Sequence, residues 1–333
     1  MSKGKNIVKR IAGTLMLPVA MYIVMMIMCY STGKMYFGTW AMWKTLIVDI
    51  AVAVTCAMGI GLQFKCGRFD FSGGAIMLIS VILAGTWVKN FDNNPVVFFI
   101  MCLVLCTVLS VLVGVLYVYG RLPIVIATIG MAMFYEALTA LFNNGAGVSL
   151  VAIMSLKVFS TFPVVLIPLV IAVGVYAFYT YGTTTGKQAV ILANNQQAGV
   201  NIGINEKKNV IISYVFSGII FGMATVIYAS TDMRSASFSS LSTVSELFSN
   251  ILPVFIGLML AGFCGDTIGT IMGSITLCLM SYGLTAVFSA EMGTAITTVI
   301  TGVFILVINV VSAQGSHWIA AVKGKFKHKT VSA

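Results

Sequence analysis

Long apolar runs alternate with short polar breaks along almost the whole chain. Each run is close to the ~20 residues that an α-helix needs to cross the hydrocarbon core of a bilayer. The pattern predicts about ten transmembrane helices, at roughly 11–31, 44–62, 70–88, 96–119, 122–142, 158–181, 210–230, 245–264, 267–288 and 293–312. We therefore expect an all-α polytopic membrane protein in which residues 1–333 form one transmembrane domain.

The apolar stretch from Thr45 to Trp87 is interrupted near residues 63–75 by three charged residues, Lys65, Arg68 and Asp70. Helix-weakening glycines accompany them, at Gly67, Gly73 and Gly74. Non-helical backbone at membrane depth is tolerated where it is buried in protein or lines a cavity. The pattern therefore predicts two helices, or one span followed by a broken or re-entrant segment.

The longest polar interruption is residues 182–209, with the sequence GTTTGKQAVILANNQQAGVNIGINEKKN. A polar segment of this length between two spans is expected to lie in water. Its lysines, Lys187, Lys207 and Lys208, favour the cytoplasmic side. A membrane protein with one sizeable cytoplasmic loop and no soluble domain is expected to use that loop to contact a partner.

The distribution of basic residues predicts that both termini lie in the cytoplasm. Of the 19 Lys and Arg residues, the inside set is then Lys3, Lys5, Lys9, Arg10, Lys65, Arg68, Arg121, Lys187, Lys207, Lys208, Lys323, Lys325, Lys327 and Lys329, and the outside set is Lys34, Lys44, Lys89, Lys157 and Arg234. This excess of positive charge inside is the usual topology signal, and an even number of spans gives the same result. We expect an uncleaved first span, because its run is longer than the apolar region of a signal peptide, and a basic cytoplasmic tail at 314–333.

The amino-acid composition also indicates that most of the chain is surrounded by membrane lipid. Hydrophobic residues make up 59% and charged residues only 8%, and the mean hydropathy is +1.03. A soluble domain carries about 25% charged residues. The net charge of +10 is concentrated at the ends and in a few loops, as topology signals are, so we expect contact with membrane lipid and not with nucleic acid.

The residues needed for common catalytic and metal sites are missing or misplaced. Cys102 and Cys106 share a helix face, but two thiols without a nearby histidine make a poor metal site. Both histidines, His317 and His328, lie in or beside the tail. There is no GxxxxGK[ST] phosphate loop, so the chain is not expected to hydrolyse nucleotide. We expect neither an enzyme nor a metal site.

Two acids, Asp49 and Glu136, lie within predicted spans and beyond the first two residues of the run. A carboxylate at membrane depth is costly and usually faces a water-filled path or a partner. Asp49 lies about one turn inside the outer end of its span, where it either reaches the hydrated interface or lines a pathway. Glu136 lies in the middle of its span. It either lines a pathway or accepts structural hydrogen bonds.

Glycine spacing predicts close helix packing. Gly218 and Gly222 form a GxxxG pair, and a longer series with the same spacing comprises Gly265, Gly269 and Gly273. Small residues at this spacing allow two helix backbones to approach each other.

Four strings, taken in order, resemble a known family. They are GRFDFSGGAIM at 67–77, LPIVIATIGM at 122–131, ANNQQAGVNIGI at 193–204 with SYVFSGIIFGMA at 213–224, and the glycine series that follows LPVFIGLMLAG. Their order and spacing over roughly 40–312 resemble the permease subunit of bacterial ABC importers of the ribose type. The residues that match its structural motifs are Gly67, Asp70, Ser72, Gly74, Pro123, Gly130, Gly265, Gly269 and Gly273.

The resemblance implies a bacterial inner-membrane importer of a monosaccharide. It implies a ten-span fold that pairs with a second permease copy, identical or related. A separate ABC ATPase hydrolyses ATP, and this chain itself binds no cofactor. The ATPase would receive a short cytoplasmic helix formed by Asn194, Asn195, Gln196, Gln197, Ala198, Gly199, Val200 and Asn201, with Gly199 and Gly203 bounding it. An extracytoplasmic binding protein would dock on outer loops near 32–43, 88–95, 143–157 and 231–246.

The resemblance also implies transport by alternating access, in which the solute pathway opens to one side of the membrane at a time. We predict that the solute pathway is faced by Asp49, Glu136, Asn143 and Asn144. Asp70 and Ser72 are expected to fix the broken helix through backbone hydrogen bonds and not to touch the substrate.

The chain also departs from the family pattern. Lys65 and Arg68 are added before Asp70, where the usual tract is apolar and Gly-rich, and Asp49 stands where a neutral polar residue is usual. These differences bear on the substrate more than on the fold. Two alternatives therefore stay open: an ABC permease for nucleosides or branched-chain amino acids, and a secondary transporter driven by an ion gradient, which would need more intramembrane charges and inverted repeats.

Overall fold

The computed structural model describes residues 3–231, 233–237, 241–289, 291–303 and 306. Twelve α-helices of the described residues follow one another: α1 Lys3–Ser31, α2 Trp40–Lys65, α3 Gly73–Trp87, α4 Pro95–Gly120, α5 Ile124–Thr139, α6 Leu166–Ala177, α7 Thr184–Asn194, α8 Gln196–Asn201, α9 Glu206–Tyr228, α10 Ser242–Ser249, α11 Leu252–Cys264 and α12 Asp266–Val287. Residues 291–303 are also helical. Within the described part of the chain there is no strand, only an isolated bridge between Val148 and Arg234.

The all-α polytopic prediction is confirmed, and the count of ten is approximate. In the described ranges, 7 helices are long and apolar enough to cross a membrane, or up to 8 with a pair bent by 70° that comprises Leu166–Gly182 and Thr184–Asn194. Ile124–Thr139 is a shorter apolar helix of 16 residues. The predicted run 293–312 is described only in part, and the predicted tail 314–333 lies outside the described residues.

The predicted break near 63–75 is a non-helical segment at residues 66–72. Asp70 Oδ1 accepts hydrogen bonds from Ser72, at 2.8 Å from the backbone N and 2.5 Å from Oγ. Arg68 donates to Gln63 Oε1 at 3.1 Å and to Ser213 Oγ at 2.5 Å. These contacts compensate part of the cost of burying the charged side chains of Arg68 and Asp70. Asp70 Oδ2 has no hydrogen-bond partner among the described residues, and Gly67 and Phe69 of the same segment are exposed.

The glycine series brings α11 and α12 into backbone contact. A Cβ atom added to Gly269 would lie 2.5 Å from the carbonyl oxygen of Gly257, and one added to Gly273 would lie 2.5 Å from that of Pro253. Gly265 forms the turn between the two helices with a φ of 80°. Gly218 and Gly222 likewise allow the backbones of α9 and α4 to come into contact. A Cβ added to Gly218 would lie 2.6 Å from Thr107 Cα, and one added to Gly222 would lie 2.8 Å from Leu103 Cα.

Gly130 has a different environment, because a Cβ added there meets no atom within 4 Å. We therefore expect Gly269→Ala to destabilise the protein by about 1–3 kcal/mol through overpacking. Gly130→Ala, also within a helix, is expected to stabilise by up to about 1 kcal/mol, as alanine does in helices. Thermal unfolding of both variants in detergent measures the difference, and equal melting temperatures would contradict the packing account.

Candidate functional site

A cavity of about 530 Å³ opens between α2, α9, α10, α12 and the helix at 291–303. Its charged lining residues are Asp49, Arg234 and Glu246. Most of the remaining polar lining is hydroxyl or amide, from Tyr228, Thr231, Ser249, Asn250, Ser281, Tyr282, Thr285, Thr294, Thr297, Thr298 and Thr301. Such a volume is typical of small-molecule sites, which are ≈ 300–1,000 Å³. A polar, hydroxyl-rich cavity among apolar helices is therefore the candidate solute site.

Asp49 is the sequence-predicted pathway residue that lies in this cavity. It belongs to α2, whose lining residues also include Val52 and Ala53. On α12 the lining residues include Cys278 and Tyr282. Asp49 is exposed and lies at the cavity surface. Its role in solute recognition stays a prediction.

Three side chains form one connected wall of the cavity. The guanidinium of Arg234 stacks on the ring of Tyr228, with Cζ 3.2 Å from the ring centroid. The hydroxyl of Tyr228 donates to Glu246 Oε2 at 2.6 Å. Arg234 also donates to the carbonyl oxygen of Tyr228 at 3.0 Å and to Thr231 Oγ1 at 2.8 Å. These contacts fix the orientation of Glu246 at the cavity.

Sequence reasoning missed this wall. Glu246 falls inside the predicted run 245–264, and an acid within a predicted span is the signal that would have identified it. No comparable signal exists for the Arg234–Tyr228 stack, because a tyrosine at the end of an apolar run is common at membrane interfaces.

Glu136 does not line the cavity. It is completely buried, with an exposed fraction of 0%. Its carboxylate accepts hydrogen bonds from the backbone N of Leu241 at 2.8 Å, and from the backbone N and Oγ1 of Thr243 at 2.9 and 2.5 Å. These groups lie at the beginning of α10, which presents Glu246 and Ser249 to the cavity. The structural hydrogen bonds considered for Glu136 are thus present and tie α5 to the beginning of a cavity helix, while its predicted place in the solute pathway stays a prediction.

Asn143 and Asn144 also lie away from the cavity lining. Both adopt the left-handed backbone conformation, with φ values of 55° and 56°. Asn143 Nδ2 donates to the carbonyl oxygen of Gly147 at 2.7 Å. Asparagine is among the residues that tolerate this conformation best, so the pair suits the short turn at Asn143–Gly145 that follows α5.

The polar loop 182–209 contains two helices and not one. α7 ends at Asn194, Asn195 caps α8 by accepting a hydrogen bond from Ala198 N at 3.0 Å, and Gly203 follows α8 with a φ of 91°. The predicted short helix is thus observed at Gln196–Asn201. The expectation that Gly199 bounds it was wrong, since Gly199 lies inside α8.

Gly199 has a packing role instead. A Cβ added to it would lie 2.7 Å from Leu192 Cδ2 of α7, so glycine lets α8 fold against α7. The outer face of this pair exposes apolar side chains, because Val200 is 46% and Ile202 is 69% exposed. An exposed apolar patch on an otherwise polar loop is typical of an interaction surface.

The loop also contacts the broken segment. Gly67 has a φ of 74°, and a Cβ added to it would lie 3.0 Å from Ala193 Cα at the end of α7. Asn209 Nδ2 donates to the carbonyl oxygen of Thr185 at 2.8 Å. The loop is therefore packed onto the ends of α2 and α9 and is not a free linker.

The remaining predicted motif residues have local structural roles. Pro123 precedes α5 as its N-cap, and its carbonyl oxygen accepts a hydrogen bond from Ala127 N at 3.0 Å. Gly74, near the beginning of α3, lies against the carbonyl oxygen of Thr243. Within the described residues, no group of three or more His, Cys, Asp and Glu side chains is arranged to hold a metal ion.

Comparison with known proteins identifies relatives over most of the chain. The ribose import permease protein RbsC of Escherichia coli K12 is 24% identical over 249 residues, which are 72% of this chain and 76% of RbsC. The fructose import permease protein FruG of Bifidobacterium longum is 25% identical over 310 residues, 88% of this chain and 89% of FruG. The galactose/methyl galactoside import permease protein MglC of E. coli K12 is 23% identical over 265 residues, 73% of this chain and 78% of MglC.

No solved structure matches the chain at comparable significance. A family model described as branched-chain amino acid transport system / permease component matches residues 42–309, well over half of the chain. This region coincides closely with the stretch over which the four sequence strings resemble an import permease. The chain therefore belongs to the family of branched-chain amino acid transport system permease components, which are membrane permeases and not enzymes.

Proposed function

We propose that this chain is the transmembrane permease subunit of an ATP-binding-cassette importer for a monosaccharide. The observation that supports this most directly is the similarity to ribose, fructose and galactose import permeases over 72% or more of the chain. The multi-pass helical fold is the architecture that such a role needs. The chain would lie in a bacterial inner membrane with both termini in the cytoplasm, as the distribution of Lys and Arg predicts.

The chemistry of the cavity suits a sugar. Each sugar hydroxyl both donates and accepts, so it pairs well with carboxylates, which only accept, and with side-chain hydroxyls, which adapt to either role. Asp49 and Glu246 supply the carboxylates, and threonines supply most of the hydroxyls. Tyr282 adds an aromatic ring to the lining, against which the apolar C–H face of a sugar ring can pack.

The α7–α8 pair is the proposed contact with the ATPase. Val200 and Ile202 present apolar side chains on a loop that the distribution of Lys and Arg predicts to be cytoplasmic. The partner ATPase would receive α8 in a groove. When ATP binding closes the ATPase dimer, the groove would move α8 with it. This chain would bind no cofactor itself.

The remaining partners complete the proposed transport cycle. An extracytoplasmic binding protein would deliver the sugar to the outer loops near 32–43, 88–95, 143–157 and 231–246. A second permease copy, identical or related, would pair with this one in the membrane. Closure of the ATPase would then convert the cavity from outward access to cytoplasmic access.

Removing the cavity carboxylates tests the proposed sugar site. We expect Asp49→Asn and Glu246→Gln each to reduce sugar uptake by about tenfold, because a hydrogen bond to a charged group is worth roughly 1.5–3 kcal/mol. The measurement is ATP-dependent uptake of ribose, fructose and galactose by proteoliposomes that contain the complete importer.

Asp92→Asn is the matched control, since Asp92 is an exposed acid in the loop between α3 and α4 and does not line the cavity. Asparagine also tolerates the φ of 53° found at this position. Wild-type uptake in both cavity variants, with normal amounts of folded complex, would show that the cavity does not bind the transported solute.

A branched-chain amino acid is the second candidate solute, because the family description names that class. An amino acid is a zwitterion, so its ammonium group could pair with Asp49 or Glu246 and its carboxylate with Arg234. The charged lining suits this class too, and we prefer a monosaccharide because of the similarity to sugar import permeases. Uptake of leucine in the same proteoliposomes separates the two candidates.

A further inference from the structure

An ion pair joins two helices at the opposite end of the molecule from the cavity. Lys65, the last residue of α2, donates from Nζ to Oδ2 of Asp266, the first residue of α12. The two side chains are 24% and 27% exposed. An ion pair at this level of exposure keeps part of its Coulomb energy and is still accessible enough to separate. Asp266 is further favoured by its position at the N-terminus of α12.

The segment that leads into α7 also takes part in this contact. Lys65 Nζ lies 5.6 Å from the ring centroid of Tyr181, and Thr267 Oγ1 lies 3.4 Å from the Tyr181 hydroxyl. Tyr181 belongs to the π-helical turn Phe178–Gly182, at the point where the chain bends by 70° into α7. The ends of α2 and α12 therefore meet the entry to the α7–α8 pair at one place.

The same two helices both line the cavity. Asp49 of α2 is sixteen residues before Lys65, which is roughly 24 Å along a helix. Ser281 of α12 is fifteen residues after Asp266, which is roughly 22 Å. Both Asp49 and Ser281 line the cavity. In this conformation α2 and α12 therefore both line the cavity at one end, where Ala53 and Leu277 also pack in one apolar cluster, and an ion pair joins the two helices at the other end.

We propose that the Lys65–Asp266 pair holds the cytoplasmic side of the solute pathway closed and separates when the ATPase moves α7 and α8. This inference rests on the proposed function, because it assigns a role within ATP-driven transport. Gly67, two residues after Lys65, packs against Ala193 of α7. Displacement of α7 is therefore transmitted to the end of α2 as well as to Tyr181.

Charge reversal and charge exchange test the proposal. The variants are Lys65→Asp, Asp266→Lys and the double variant that exchanges the two charges. The measured quantity is the amount of sugar taken up per ATP hydrolysed, in proteoliposomes that contain this chain, its ATPase and the binding protein. We expect each single reversal to lower this ratio about fivefold or more, as the loss of a typical coupling free energy does, and the double variant to recover most of it.

Lys44→Asp is the matched control, because Lys44 is an exposed lysine at the other end of α2. A purely structural role for the pair would lower the melting temperature and the yield of complex but leave the uptake-to-hydrolysis ratio unchanged, and that result would overturn the proposal. Failure of the double variant to recover the ratio would also overturn it. A wild-type complex without ATP-driven uptake would contradict the proposed function, and the inference with it.

Discussion

Replacing Val200 and Ile202 together by glutamate is expected to abolish co-purification of the ATPase with this chain. Both side chains are exposed, at 46% and 69%, so neither change disturbs the packing of α8 on α7. Two carboxylates inserted into an apolar contact would be desolvated without partners, which costs several kcal/mol. The measurement is affinity purification of the tagged permease in detergent, followed by quantification of the bound ATPase.

Met154→Glu is the matched control for this experiment. Met154 is an even more exposed apolar residue, at 82%, and it lies in the loop after α5, which is predicted to be outside. The same kind of substitution there should leave the ATPase bound. Normal co-purification of the Val200→Glu, Ile202→Glu variant would show that α8 is not the contact.

Removal of the Glu136 carboxylate is expected to have the largest effect on stability. Glu136→Ala leaves the backbone N–H groups of Leu241 and Thr243 and the hydroxyl of Thr243 without their acceptor. Leaving buried donors unsatisfied costs roughly 1–3 kcal/mol for each group. We therefore expect a loss of about 3 kcal/mol or more, together with loss of uptake, because α10 no longer holds Glu246 in the cavity wall.

Thermal unfolding in detergent measures this loss, and two further variants calibrate it. Thr243→Val removes only the hydroxyl donor and should cost about 1 kcal/mol. Glu291→Ala removes an exposed acid and should change the melting temperature little. If Glu136→Ala melts like wild type but still fails in uptake, Glu136 acts on the solute directly, and the structural assignment is wrong.

The elements that the sequence predicts well depend on local signals. The break at 66–72 coincides with charged residues and glycines that no continuous apolar helix would contain. The short helix α8 coincides with a capping asparagine and a following glycine, Asn195 and Gly203. Close packing of α11 on α12 follows from glycines spaced four residues apart, because that spacing places them on one helix face.

The parts that sequence reasoning did not predict depend on contacts between distant residues. Glu136 meets Leu241 and Thr243 across more than 100 positions of the chain, and periodicity contains no information about such a pairing. The predicted single run 245–264 is divided into α10 and α11, and Pro253 lies in the first turn of α11, where proline is favoured because its missing N–H needs no partner. Of these two helices, α10 contributes Glu246 and Ser249 to the cavity lining.

The Lys65–Asp266 pair is a third contact between distant residues that sequence reasoning did not predict. Sequence comparison with the family identified Lys65 as an added charge but gave it no role. Its partner lies 201 positions away, at the turn formed by Gly265. Only the folded arrangement of α2, α12 and the segment entering α7 relates this charge to the loop that is proposed to bind the ATPase.

The measurement that tests the central claim most directly is monosaccharide uptake by proteoliposomes containing the permease, its ATPase and the binding protein. ATP on the ATPase side, without any ion gradient, should drive accumulation of a monosaccharide, and the Val200→Glu, Ile202→Glu variant should abolish it. Uptake that needs a proton or sodium gradient and proceeds without ATP or the ATPase would contradict the account and identify a secondary transporter.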